Sequence, residues 1–172
     1  MAATPEDTLY ALQNRFADAI GDVARFRGEV TAVVANDAFL DVCSHMKDEL
    51  GYNYLSDLTC VDWLDREPRF DVVYHLTSLT DWIRIRLKVQ VNEAESVPSV
   101  VSIWAAANWA EREVWDLFGV KFEGHPDLRR IQMPEGWIGH PLRKDYPQTQ
   151  ITLPRPKAEK AAPAGGYARP EQ

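Results

Sequence analysis

Residues 82 to 91, WIRIRLKVQV, alternate apolar and polar side chains along their length. A β-strand points successive side chains to opposite faces, so this run predicts a strand with one buried face. The apolar row is Ile83, Ile85, Leu87, Val89 and Val91, and the polar row is Arg84, Arg86, Lys88 and Gln90. The sheet is therefore half buried, and its basic stripe faces solvent or a partner, with solvent the simpler expectation.

Two preceding runs, YNYLSDLTCVDW (52–63) and RFDVVYHLTSL (69–79), are also rich in aromatic and β-branched residues. Turn signals at Glu67-Pro68 and Thr80-Asp81 separate the runs, which predicts three antiparallel strands. Further short strands are predicted at about Glu29 to Val34 and at SVVSIW, residues 99–104.

Three amphipathic helices are predicted from apolar residues at steps of three and four. Thr4-Pro5 begins the first, whose apolar positions are Leu9, Leu12, Phe16 and Ile20. Asn36 is the expected cap of the second, which has its stripe at Leu40, Cys43, Met46 and Leu50 and ends at Gly51. The third runs from Asn108 to Phe118, with Gly119 just past its end.

Length and composition limit the classes of protein. A chain of 172 residues predicts one domain, and no apolar run approaches the roughly 18 to 20 residues of a membrane-spanning helix. The N-terminus has neither a secretion nor a transit pattern, so we expect the protein to stay in the cytoplasm. Cys43 and Cys60 form no CxxC pair, which argues against an iron–sulfur cluster or a Cys₄ zinc site and favours two core residues.

Regular periodicity stops after residue 120. We therefore divide the chain into an α+β body (1–120), an extended strap of the same domain (121–153) and a tail rich in Pro and Ala (154–172). Residues 1–120 hold 10 basic and 20 acidic side chains, whereas residues 121–157 hold 7 and 4. Because acidic residues are interleaved with the arginines of the strap, this distribution favours an acidic protein face over nucleic acid.

The strap writes Gly-His-Pro twice, with His125 and His140 fifteen positions apart. A metal site would need further ligands, for which only Glu123, Asp127 and Asp145 are near, so two tight turns with hydrogen-bonded imidazoles are the preferred interpretation.

The third helix carries three carboxylates. Glu111 and Glu113 point apart, and only Glu113 and Asp116 share a side, which is weak support for acid–base catalysis. The spacing of Arg112 and Asp116 predicts an ion pair instead. No phosphate-binding glycine loop and no nucleophile elbow is present.

The phrases EREVWDLFGVKFEGHPDLRRI (111–131) and GHPLRKDYP (139–147) resemble the signature of the NuoC-type subunit of proton-pumping NADH-quinone oxidoreductase, respiratory complex I, called the 30-kilodalton subunit in mitochondria. The signature residues of the helix and first turn are Glu111, Arg112, Glu113, Trp115, Asp116, Phe118, Gly119, Gly124, His125 and Pro126. The resemblance covers about residues 5 to 150.

The resemblance implies an α+β fold in which a mixed, largely antiparallel sheet packs with helices and an irregular C-terminal strap follows. It implies a non-catalytic scaffold in the quinone-reducing module of the peripheral arm, on the cytoplasmic side of the bacterial membrane, in contact with complex I subunits B, D and I. It implies no cofactor in this chain, because FMN, iron–sulfur clusters, NADH and quinone are bound by other subunits.

The resemblance also implies that the strap lies on the partner designated D, and the docking residues carried over are Arg129, Arg130, His140, Pro141, Leu142, Arg143, Lys144, Asp145, Tyr146 and Pro147. We expect the two proline-fixed turns to direct its arginines toward that partner. The phrase MPEGWIG (133–139) also resembles the equivalent subunit of the photosynthetic, plastoquinone-reducing complex, so donor and quinone stay open. Two alternatives are an accessory subunit of a related membrane-bound hydrogenase and an independent enzyme that uses His125, His140 or the helix carboxylates.

Overall fold

A computed structural model describes residues 4–147. Its helices are α1 (Pro5–Arg15), α2 (Phe39–Asp48) and α3 (Ala107–Phe118), with a single 3₁₀ turn at Ala17–Ala19. Its strands are β1 (Ile20–Phe26), β2 (Glu29–Val34), β3 (Tyr54–Asp62), β4 (Phe70–Ser78), β5 (Ile83–Val91), β6 (Ser96–Pro98) and β7 (Lys121–Glu123). The expected α+β class with a mixed, largely antiparallel sheet is confirmed.

Five strands form the main sheet in the order β1-β2-β5-β4-β3. β3, β4 and β5 pair antiparallel as predicted, and β2 pairs with β5 in parallel. β1 was not predicted, because the spacing assigned Ile20 to the first helix. The helix instead ends at Arg15, and Ile20 begins a strand that pairs with β2.

The helices cover the apolar face of the sheet. The Thr4 side chain accepts a hydrogen bond from the Asp7 amide and Asp7 reciprocates, which confirms the predicted start of α1. Cys43 on α2 and Cys60 on β3 are both buried, as expected for core residues.

Two predictions for α2 are wrong. Asn36 does not cap the helix but donates to the Ser96 carbonyl at 2.8 Å. Leu40 is exposed, because Phe39 and Val42 face the core instead.

A second, two-stranded parallel sheet joins β6 to β7. The strand expected at residues 99–104 is wrong, since residues 101–103 form a turn after β6 has ended at Pro98. β7 lies within the segment defined above as the strap, whose irregular part therefore begins at Gly124. α3 ends as predicted, with Gly119 in the left-handed region at φ 81°.

The polar row of β5 is largely paired with neighbouring strands. Arg86 forms an ion pair with Glu29, and Lys88 forms one with Asp71. Arg84 is exposed, as expected for a solvated stripe. Much of the basic charge on this face is thus neutralised within the sheet.

Candidate docking surface

Asp116 is the anchor that fixes the strap to α3. Its carboxylate is fully buried and accepts hydrogen bonds from the amides of Ile131, Gln132 and Met133 at 2.8 to 3.0 Å, and it forms an ion pair with Arg130 at 2.5 Å. Burial alone would raise the pKa of Asp116, but these donors hold it below its ordinary value. The anchor is therefore a charge at neutral pH.

Arg130 uses the rest of its guanidinium inside the strap. It donates to the carbonyls of Trp137 at 2.8 Å and Gly139 at 3.1 Å, which closes the loop between the two Gly-His-Pro turns. Its charge also lies 5.7 Å from the centre of the Trp115 ring, within range of a cation–π contact.

Both histidines form the hydrogen-bonded turns that the sequence predicts. His125 donates from Nε2 to the Asn108 carbonyl at 3.0 Å, and its Nδ1 accepts from the Asp127 amide at 3.0 Å. His140 donates from Nδ1 to the Asp116 carbonyl at 2.9 Å. Burial lowers the pKa of His140, which favours the neutral ring. Among residues 4–147, no three His, Cys, Asp or Glu side chains come together as metal ligands.

Arg143 joins the second turn to the end of α3. It donates to the Phe118 carbonyl at 2.5 Å and pairs with Glu93 at 2.7 Å. The turn approaches the helix so closely that a Cβ added at Gly119 would lie 2.5 Å from His140 and 2.7 Å from Arg143. Gly119 is therefore required both by its positive φ and by the packing of the strap.

The end of the described strap is held by Asp62 and Arg69 of the body. Asp62 accepts from the Lys144 amide at 2.8 Å and pairs with Arg69 at 2.7 Å. Arg69 also pairs with Asp145 at 2.8 Å. The hydrogen bond from Arg69 is the main cause that holds the pKa of Asp62 far below its ordinary value.

The predicted Arg112–Asp116 ion pair is wrong. Arg112 points toward the strap and donates to the carbonyls of Arg129 and Arg130, both at 3.1 Å, while Asp116 pairs with Arg130. The four-residue spacing was right for a contact on one helix, but Asp116 is buried under the strap and its strap partner takes the position.

The arginines expected to point toward a partner do not behave alike. Arg130 and Arg143 turn inward onto α3, so the expectation that the turns direct them outward is not supported. Arg129 is exposed and pairs only with Asp127 in the described chain. The outer surface of the strap is apolar at Ile138, 69% exposed, and at Leu142, 50% exposed.

The other residues carried over as docking positions lie on this outer surface or just beneath it. Lys144, Asp145 and Pro147 are exposed, whereas Pro141 is half-buried. Tyr146 donates from its hydroxyl to the Ile138 carbonyl at 3.0 Å, and its ring lies against Gly139. Ile138 was not among the predicted docking residues, although an isoleucine between two glycine turns is the signal that marks it.

Glu111, the remaining helix carboxylate, is buried away from the strap. It accepts from the Ser99 hydroxyl at 2.7 Å and the Val100 amide at 2.8 Å, which fixes the turn after β6. Burial raises its pKa to about 7. Glu113 is exposed, so the three carboxylates of α3 do not form a reacting group.

Comparison with known proteins first gives the class. The chain is similar to a chain of the membrane-bound sulfane sulfur reductase, an archaeal respiratory membrane complex, with a TM-score of 0.65 and 26% identity over 84% of this chain and 86% of that one. The fold is thus shared with a component of a respiratory membrane complex. No helix in the part of the chain that the structure describes is long and apolar enough to cross a membrane.

Sequence comparison gives the family. Residues 32–152 match the family described as respiratory-chain NADH dehydrogenase, 30 Kd subunit. The chain is 53% identical to the NADH-quinone oxidoreductase subunit designated C of Geobacter sulfurreducens over 79% of this chain and 85% of the relative. It is 49% identical to the subunit of the same name from Roseiflexus sp. strain RS-1 over 86% of each. The chain belongs to the 30-kilodalton subunit family of respiratory NADH dehydrogenase.

Proposed function

We propose that this chain is a non-catalytic structural subunit in the peripheral arm of proton-pumping NADH-quinone oxidoreductase. It holds the quinone-reducing module together on the cytoplasmic side of the bacterial membrane, where its partners are subunits B, D and I. FMN, the iron–sulfur clusters, NADH and quinone are bound by other subunits.

The strap is the observation that carries this proposal. Its polar side chains Arg130, His140 and Arg143 are used to hold it against α3, while Ile138 and Leu142 remain exposed on the outside. A rigid, irregular segment that exposes apolar side chains is suited to docking, because its conformation is already fixed before the partner binds.

The test is isolation of the native complex from membranes through a tag on this chain. Recovery of subunits B, D and I with quinone reductase activity in the eluate is the expected result. Recovery of the chain alone, without cluster-bearing partners, would contradict the scaffold role and would favour the independent enzyme instead.

A second candidate is an accessory subunit of another respiratory membrane complex, related to hydrogenases. The shared fold with a chain of the sulfane sulfur reductase complex favours it. The higher identity to the NADH-quinone oxidoreductase relatives, 49 to 53%, favours the first candidate. A nickel–iron large subunit among the recovered partners would decide for the second candidate.

The docking role of individual residues is part of the same proposal. Leu142→Asp would place a charge on the outer apolar surface of the strap, whereas Tyr10→Asp changes a distant exposed apolar residue on α1. We expect only the first to lower recovery of the partners. Equal recovery of both variants would show that the strap is not the docking surface.

A further inference from the structure

The main sheet ends at β3, which has no strand on its outer side among residues 4–147. β3 pairs with β4 along one side from Tyr54 to Asp62. The backbone N–H and C=O groups of a nine-residue edge strand are a template for a further extended segment. Exposed Thr59 and Val61 leave this edge accessible.

A pocket of about 220 Å³ opens between β3 and α3. Its apolar lining is Leu58, Val114, Leu117, Phe118 and Leu142. Small-molecule sites occupy roughly 300 to 1,000 Å³, so this volume suits a protruding side chain better than a cofactor. Because Leu142 belongs to the strap, the pocket continues the proposed docking surface onto the sheet.

Two carboxylates stand at the pocket, Asp57 on β3 and Glu113 on α3. Both are exposed, and Glu113 accepts a hydrogen bond from Gln132 at 3.3 Å. Neither forms an ion pair with a described residue, and the lining includes no Lys or Arg. Two uncompensated negative charges beside an apolar cavity complement a cation next to an apolar side chain.

We propose that β3 accepts an extended segment of a partner subunit as a sixth strand, with an apolar side chain in this pocket and a neighbouring Lys or Arg on Asp57 and Glu113. The inference rests on the proposed function, since it requires a partner subunit. A second copy of this chain is not the occupant, because a two-fold pairing of β3 would bring the same acidic residues together.

The first test reverses the charge of the pocket. Asp57→Lys with Glu113→Lys is compared with Asp18→Lys and Asp22→Lys, which make the same charge change on exposed residues near the opposite edge of the sheet. The complex is isolated through a tag on another subunit, and mass spectrometry measures the ratio of this chain to that subunit. Thermal unfolding of each purified variant checks that it folds.

We expect the pocket variant to be recovered at least about tenfold less than the wild-type chain, since like charges across an interface cost several kcal/mol. The control variant is expected at the wild-type ratio. A folded pocket variant at the wild-type ratio overturns this inference while the proposed function stands. Failure of the wild-type chain itself to appear in the complex overturns the proposed function.

The second test identifies the occupant. A photo-crosslinking phenylalanine analogue replaces Thr59 in the intact complex, and the crosslinked peptide is sequenced. The expected peptide belongs to another subunit and has a Lys or Arg beside a large apolar residue. Replacing that basic residue by Glu is expected to restore assembly of the pocket variant. A peptide from a second copy, a peptide without basic residues, or no crosslink in the assembled complex contradicts the proposal.

Discussion

Two buried carboxylates on one helix, Glu111 and Asp116, have opposite electrostatic settings. Asp116 has three amides and a guanidinium around it, and its pKa falls. Glu111 has a hydroxyl and one amide, too few donors to offset burial, and its pKa rises to about 7. The number of donors thus decides which of these side chains is a charge at neutral pH.

Glu111 should make the chain less stable as pH rises. Its pKa in the folded chain, about 7, exceeds the ordinary value of 4.5, so between these values the folded state binds the proton more tightly. Stability should therefore fall with a slope of up to about 1.4 kcal/mol per pH unit from about pH 4.5 to about 7 and then level off. Urea unfolding of Glu111→Gln and wild type at about pH 5.5 and about pH 8 measures this contribution by difference.

Glu111→Gln should gain stability relative to wild type at the higher pH, because the neutral amide keeps an acceptor without a buried charge. Glu113→Gln, on the exposed face of the same helix, is the matched control and should show no such gain. A pH-independent difference between Glu111→Gln and wild type would contradict the assignment.

Asp116→Asn should loosen the strap. Asparagine retains one carbonyl oxygen but no charge, so Arg130 loses its partner and the three strap amides share a weaker acceptor. We expect a loss of about 2 to 4 kcal/mol in the free energy of unfolding, measured with urea. Asp127→Asn, which removes the exposed pair with Arg129, should cost less than about 1 kcal/mol. Equal losses in the two variants would refute the anchoring role.

At the scale of elements, the local pattern predicted most of the helices and strands. Alternation located β3, β4 and β5, and capping chemistry located both ends of α3 to within a residue. β1 was missed because Ile20 continues the helical spacing of Leu9 and Leu12. The attachment of the strap could not be predicted, because its backbone amides, which meet Asp116 and Asp62, have no signal in the side-chain pattern.

The strap and body are also joined through Asp62 and Asp145, which form a natural comparison around Arg69. The side chain of Asp62 is fully buried, whereas that of Asp145 is 50% exposed. Asp62→Asn should cost about 2 to 4 kcal/mol and free the Lys144 amide, while Asp145→Asn should cost less than about 1 kcal/mol. Limited trypsin cleavage after Arg143 and Lys144, with urea unfolding, measures both effects. Faster cleavage in Asp145→Asn than in Asp62→Asn would reverse the assignment.

At the scale of the whole molecule, the body and the strap are held by different forces. The buried apolar side chains of the described residues lie between Leu9 and Phe122, and no strap side chain from Glu123 to Pro147 is buried. The body is thus stabilised by apolar burial, and the strap is attached by hydrogen bonds and ion pairs, which contribute less per residue.

This division predicts two levels of protection in amide hydrogen exchange. The amides of Ile131, Gln132 and Lys144, bonded to Asp116 and Asp62, should exchange through opening of the strap alone. The amides of Val72 and Tyr74 in β4 should need global unfolding. We expect the strap amides to open at least about 2 kcal/mol more easily, as measured by native-state exchange in increasing denaturant. A single opening energy for both groups would show that strap and body unfold together.

The strand order also has a consequence for biosynthesis. β5 lies at the centre of the sheet, between β2 and β4, yet it is the last of the five strands in the chain. During translation the hairpin of β1 and β2 and the hairpin of β3 and β4 can each form early, but they cannot join until residues 83–91 have left the ribosome. The open edges of the two hairpins are exposed to other nascent chains during that interval, and β5 closes both at once.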